Sequence, residues 1–276
     1  MRDRLMSAIR EESGFTLIEM LVTILMGMLI LSALVTIMIT TLDQTTRYFS
    51  KIDATQHARV GVEQIENELH SACVTDNVTP VLTGSTGTTL QFVSQYGTSA
   101  SLTPVEHVIS WNSSTGVLTD ATYAETGVTI NSSGVPVYTF STTASNTRTV
   151  LINVTETGTT PIFEYFKYQV PTNSSNQPYT APDGNDYEML IDGTNAIPGT
   201  STVPAAQPLT TPLSSSDASL TSEVMINMTV GPSGGTGENI HLNPGDAADA
   251  VSDGVVLRLT PAANEAGNGA VFLPCQ

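Results

Sequence analysis

The chain has 276 residues, 26 of them acidic and 9 basic, for a formal net charge of −17. Beyond Arg59 the only basic residues are Arg148, Lys167 and Arg258, which excludes the clustered cations that a nucleic-acid-binding surface needs to neutralise phosphates. The length admits one large domain or a smaller domain with an anchor. The 13% charged content, with Ser, Thr, Gly and Asn crowding the last two-thirds, suits short strands joined by turns.

Met1 to Ser13 is polar and carries Arg2, Arg4 and Arg10. From Phe15 to Ile39 the chain is apolar, 25 residues with Glu19 as the only charge. At about 1.5 Å per residue a helix of that length spans roughly 37 Å, more than the ~30 Å hydrocarbon core of a bilayer. A cleaved secretory signal does not fit, because its apolar stretch is about 7–15 residues and ends in an A-x-A-like site. A plain signal anchor, with the arginines on the cytoplasmic side, accounts for the run but not for Glu19. A carboxylate at a helix centre in lipid costs about 2.5–3.5 kcal/mol, and less near an end. A cut between Gly14 and Phe15 would create a partner for it. The new amine, with a pKa of about 8, is mostly protonated near neutrality. It lies four residues from Glu19 and could meet that carboxylate in its own chain or in a neighbouring one, where the pair would fix subunit register.

The residues Gly14-Phe15-Thr16-Leu17-Ile18-Glu19-Met20, after a short polar leader and before a long apolar helix, closely resemble the processing and methylation motif of type IV pilins and pseudopilins. The resemblance implies that a membrane prepilin peptidase cuts after Gly14, that the new terminus at Phe15 is N-methylated, and that Glu19 guides docking onto neighbouring subunits. Methylation leaves the amine charged, so the pairing argument holds for the modified chain. Gly14, with no side chain, presents no steric obstacle to a peptidase.

Past the membrane run, Tyr48, Ile52, Thr55, Ala58, Val62, Ile65, Leu69 and Ala72 fall on one helical stripe, with Asp53, His57, Arg59, Glu63, Glu66 and His70 off it. No proline precedes Pro80, so one helix from Phe15 to about Cys73 is allowed, and Gly27 is the only weak point in its membrane half. Many major pilins have a helix-bending proline there; this chain has none. Short β-branched and aromatic runs then predict strands over Thr89–Val93, Val105–Trp111, Val135–Phe140, Thr149–Val154, Ile162–Val170, Glu223–Val230 and Val255–Leu259. Val224, Ile226, Met228 and Val230 share one face of their strand, and Val255, Leu257 and Leu259 one face of theirs. The expected fold class is α+β: a long N-terminal membrane-spanning helix packed on a mostly antiparallel β head, pilin-like. Its divisions are a leader over 1–14, a membrane or fibre-core half of the helix over 15–41, an amphipathic half over 42–73, and the head over 74–276. Within the head, 171–222 is a Pro/Thr/Ser-rich insertion holding seven of the fifteen prolines and one strand-like piece, Tyr187–Ile191.

Three stretches of the head, "HARVGVEQIENELHSAC", "PIFEYFKYQV" and "LTSEVMINMTV", are loosely similar to larger minor pilins and J-type pseudopilins. That similarity implies a tip-associated or initiating subunit rather than the repeating one. The partners implied are the prepilin peptidase and methylase, other pilin or pseudopilin subunits along the helix, and an assembly platform in the membrane. The place implied is the cytoplasmic membrane, single-pass with the head outside, then a pilus or pseudopilus. The alternative is a membrane-anchored extracytoplasmic binding module or adhesin that enters no fibre.

Cys73 and Cys275 could form one disulfide in an exported head, worth about 5 kcal/mol at most for so long a loop. The segment Asp183 to Glu188, with Asp183, Asn185, Asp186 and Glu188 as oxygen ligands, is a weak Ca²⁺ candidate that lacks EF-hand spacing. Gly231-Pro232-Ser233-Gly234-Gly235 fits G-x-S-x-G but runs into more glycine rather than a helix, so it reads as a turn and not a nucleophile elbow. His57, His70, His107 and His241 have no metal-ligand spacing and read as solvated or locally bonded. Six N-x-S/T sequons, Asn77 and Asn153 among them, are what a Ser- and Thr-rich chain produces by chance. No cofactor and no enzymatic chemistry are implied.

Overall fold

The structure, a computed structural model, describes residues 15–72, 81–98, 101–130, 136–173, 175, 177–180, 189–190, 208–232 and 248–257. Gly14, Cys73, Cys275 and the four Ca²⁺ candidates Asp183, Asn185, Asp186 and Glu188 lie outside the described residues. The chain divides into two compact units, one up to Phe49 and one from Ser50 onward.

A single helix, α1 (Leu17–His70, 54 residues), contributes to both units. Leu, Met and Ala supply its propensity, and neither Gly27 nor the β-branched Ile, Val and Thr residues interrupt it. In the first unit its Ser and Thr hydroxyls are satisfied by the helix's own backbone. Thr23, Ser32, Thr36, Thr40, Thr41, Thr45 and Thr46 each donate to a carbonyl three or four residues back, at 2.5–3.0 Å. A hydroxyl satisfied within its own helix needs no water, so these residues are compatible with an apolar solvent. The helix ends by tightening: Ser71 N donates to Glu68 O and Ala72 N to Leu69 O, one residue short of the α-helical spacing.

In the second unit α1 buries Ala54, Ala58, Gly61, Val62, Ile65 and Leu69. The expected stripe is right from Thr55 onward and wrong at Tyr48 and Ile52, which are exposed. Small residues decide this. Ala54, Ala58 and Gly61 follow one another at helical spacing, and a Cβ placed on Gly61 would overlap the Leu151 side chain, so the helix backbone comes closer to the sheet than a bulky stripe would allow.

The strands are antiparallel throughout. One sheet contains β1 (Thr89–Thr98), β2 (Ser101–Asn112), β3 (Val117–Ile130), β4 (Pro136–Phe140) and β5 (Asn146–Leu151). Its path is β1-β2-β3-β4, with β5 pairing the same edge of β3 nearer its start. A second sheet is built on β10 (Glu223–Val230), which pairs β11 (Asp249–Val256) on one side and both β6 (Val154–Thr155) and β7 (Phe163–Phe166) on the other. A two-stranded piece joins β8 (Tyr168–Gln169) to β9 (Met189–Leu190). The core combines Val62, Ile65 and Leu69 of the helix with Phe92, Ile109, Leu118, Leu151, Phe163, Tyr165 and the Val224–Val230 face. Val224, Ile226, Met228 and Val230 are all fully buried, as their alternation predicts.

Four strand expectations need correction. The longest strand, β3, was not expected at all, because Asp120, Ala121, Ala124, Glu125 and Gly127 are poor strand formers. The last described strand occupies Asp249–Val256, beginning earlier than the expected Val255–Leu259, of which Arg258 and Leu259 lie outside the described residues; the Ile162–Val170 run is two short strands broken at Lys167; and Thr149–Val154 is divided between β5, which ends at Leu151, and β6, which starts at Val154 in the second sheet. Residues 208–222, the end of the Pro/Thr/Ser-rich stretch, are knitted into the domain. Leu209 N donates to Tyr165 O, Leu213 N to Ser85 O and Gly84 N to Leu213 O. The short helix α2 (Ser215–Leu220), capped by Ser214, sets Ala218 in the core.

Candidate functional site

The site that the motif points to is the start of α1. Thr16 precedes the first helical residue, and its Oγ1 accepts from Glu19 N at 3.3 Å. In return Glu19 Oε2 accepts from Thr16 N at 3.4 Å and from Thr16 Oγ1 at 3.2 Å. This reciprocal pair is a capping box, a Thr at the cap and a Glu three positions on. The carboxylate also sits where it favours the positive end of the helix dipole. Sequence reasoning read Glu19 as a charge without a partner and missed Thr16, although T-x-x-E before an apolar run is itself a recognisable helix-start signal.

Phe15 is 72% exposed and Glu19 is exposed. Every large apolar side chain from Leu17 to Phe49 is exposed as well, from 48% at Val35 to 83% at Leu17. Mean hydropathy reaches 2.6 over a window in which no residue is buried. Such a surface is far beyond the apolar patch that a monomer in water carries. It is long and apolar enough to act as a single membrane anchor, and Glu19 is the one charged group on it before Asp43.

A second cluster lies within the domain. Asp120 of β3 is fully buried and faces Arg148, its direct cross-strand neighbour on β5. Arg148 Nε donates to Asp120 Oδ2 at 3.0 Å and Nη2 donates to Glu68 Oε1 of α1 at 2.8 Å, with Nη2 also in ion-pair contact with Asp120 Oδ2 at 2.8 Å. His107 of β2 brings Nδ1 within 3.1 Å of Asp120 and Nε2 within 3.8 Å of Glu68, while its ring stacks on Phe92 at 5.0 Å between centroids. The two carboxylates beside Arg148 raise its pKa against the opposing effect of burial. This quartet ties the last turn of α1 to three strands. His107 had been read as solvated or locally bonded, and Asp120 and Arg148 were not singled out by sequence.

Among the described residues no group of three or more His, Cys, Asp or Glu side chains is arranged to hold a metal ion. Ser233, Gly234 and Gly235 of the G-x-S-x-G stretch lie outside the described residues, as does His241. Comparison with family models, with curated proteins and with solved structures finds no match.

Proposed function

We propose that the chain is a minor pilin or pseudopilin. It enters the cytoplasmic membrane as a precursor, is cut between Gly14 and Phe15, methylated at Phe15, and built into a type IV pilus or type II secretion pseudopilus in a tip or initiating role. The observation that carries this reading is a single carboxylate one turn into an exposed, otherwise uncharged helix surface, inside the heptamer Gly14 to Met20. Cleavage would free an ammonium group next to the Thr16 cap. Glu19 could then exchange its bond to Thr16 for an ammonium group, its own or that of a neighbouring subunit, and a bond between two opposite charges is stronger than one in which only the acceptor is charged. The remaining apolar surface would pack against the same helix of other subunits. The partners in this account are the prepilin peptidase and methylase, other pilin-like subunits, and the membrane assembly platform.

The capping box favours a second reading, a membrane-anchored extracytoplasmic module or adhesin in which Glu19 only starts the helix. Processing separates the two. Intact-mass and N-terminal peptide mapping of protein from the native membrane or sheared surface fraction should find a chain beginning at N-methylated Phe15. A chain that retains residues 1–14 supports the anchored module instead.

A further inference from the structure

We propose that the first unit of α1 lies in the bilayer at one fixed depth, with Glu19 in the cytoplasmic headgroup layer and Arg47, Tyr48 and Phe49 held by phospholipid headgroups of the opposite leaflet. The inference rests on the membrane anchor in the reading above, and needs neither cleavage after Gly14 nor entry into a fibre.

The charges set the frame. The 23 residues from Met20 to Leu42 carry none, and at about 1.5 Å each they cover roughly 35 Å, a little more than the ~30 Å hydrocarbon core. Glu19 and Asp43, which flank them, therefore both fit outside the hydrocarbon. Arg47 stands 28 residues after Glu19 on the same helix. That is about 42 Å along a straight helix, and a bilayer measured across both headgroup layers is about 40–45 Å thick. Centring Phe15–Ile39 in the lipid instead would sink Glu19 into hydrocarbon and carry Tyr48 and Phe49 out into water. Between the two borders, Thr23, Ser32, Thr36, Thr40 and Thr41 all donate to carbonyls of their own helix, so none of these hydroxyls needs water.

Side-chain direction agrees with this depth. The capping box draws the Glu19 carboxylate back to Thr16, with Oε2 3.4 Å from Thr16 N and 3.2 Å from Thr16 Oγ1, and so away from the hydrocarbon. Helix side chains lean toward the N-terminus. At the far border the same lean turns Arg47, Tyr48 and Phe49 down toward the lipid. A guanidinium there meets phosphate oxygens, which it binds in pairs. Tyr48 and Phe49, 69% and 67% exposed, place their rings where aromatic side chains collect at a membrane surface. Asp43, four residues before Arg47 on the same flank, has its charge offset by that guanidinium. Glu19 thus stays out of hydrocarbon while the chain is in the membrane, and its burial begins only when the helix leaves the bilayer.

Tryptophan depth in vesicles tests this register. The full chain is reconstituted in bilayers of phosphatidylcholine and phosphatidylglycerol as Met26→Trp, Leu34→Trp and Phe49→Trp. Each is read against the wild type, so that the signal of Trp111, the single native tryptophan, is subtracted. The quenchers are a headgroup nitroxide and bromines near the ends of the acyl chains. Ala33 is midway between Glu19 and Arg47, so chain-end bromines should quench Leu34→Trp severalfold more than Met26→Trp. Phe49→Trp should respond chiefly to the headgroup nitroxide, and adding Arg47→Glu should remove most of that response. Stronger chain-end quenching of Met26→Trp than of Leu34→Trp, an unquenched Phe49→Trp, or headgroup quenching that survives Arg47→Glu unchanged would overturn the register. Protein that alkaline carbonate strips from the vesicles would contradict the anchor itself, so the two failures are distinguishable.

Discussion

The two parts of α1 are one helix by hydrogen bonding and two different objects by environment. Up to Phe49 its large apolar side chains are all exposed; from Ala54 it presents alanines and a glycine to a sheet and buries them. The first part has the hydrophobic content and lacks an internal partner, so its stability depends on a solvent or neighbour outside the chain. The second has less hydrophobic bulk and gains from closeness, with Gly61 admitting Leu151 and the quartet closing the last turn. Hydrophobic content alone does not mark a core; the spacing of small residues does.

Damage to the second part should unfold the head and spare the anchor. Arg148→Met removes the cation shared by Glu68 and Asp120 and leaves Asp120 charged and fully buried. The expected loss is about 3 kcal/mol, at the low end for broken buried pairs because the guanidinium is partly in solvent. Thermal melts of the detergent-solubilised chain should show it as a fall in midpoint of roughly 6–12 °C, while membrane extraction behaviour stays that of the wild type. Gly61→Ala should cost about 1–2 kcal/mol, the helix-propensity gain of ~1 kcal/mol being outweighed by the overlap with Leu151. Leu151→Ala alone should be costly, and the double variant should lose less than the sum of the two, as denaturant titration of the four proteins in the cycle can show.

A smaller effect concerns charge. Burial raises the pKa of Glu106 and of Glu164, the latter opposed by its bond to Asn227. A carboxyl with a raised folded pKa stabilises the fold below that value and loses the contribution as pH rises through it. For these two groups, the head should gain stability as pH falls from neutral toward about 4.5, and Glu106→Gln should flatten part of that slope in pH-dependent melts. The smallest expected effect on the head is that of Leu29→Ala, within about 0.5 kcal/mol because Leu29 is an exposed residue of the first unit. Its consequence should appear in the membrane or fibre fraction instead.

Much of this contrast was legible in sequence, for reasons that can be named. The apolar run needs only composition and length, and the Val224–Val230 alternation needs only period two. The stripe on α1 was read correctly where Val62, Ile65 and Leu69 are large, and misread where packing is done by Ala54 and Gly61, which carry no hydrophobic signal. β3 was hidden because its inward positions are Leu118 and then Asp120: an inward charge reads as a surface residue until Arg148 and His107, supplied by distant parts of the chain, are beside it. The capping box was the opposite case, a local signal at Thr16 and Glu19 overlooked because the carboxylate already had a more distant explanation.

Glu19 caps its own helix, and its proposed second role is to dock a neighbouring subunit. Glu19→Gln keeps the group a capping box needs and removes only the negative charge, whereas Glu19→Ala removes both. The decisive measurement is how much of each variant enters the sheared surface fraction, relative to the amount in the membrane. If the charge serves a neighbour's amine, Glu19→Gln should insert normally and be depleted from the fibre as severely as Glu19→Ala. Incorporation of Glu19→Gln at the wild-type level would show that Glu19 does no more than cap its own helix.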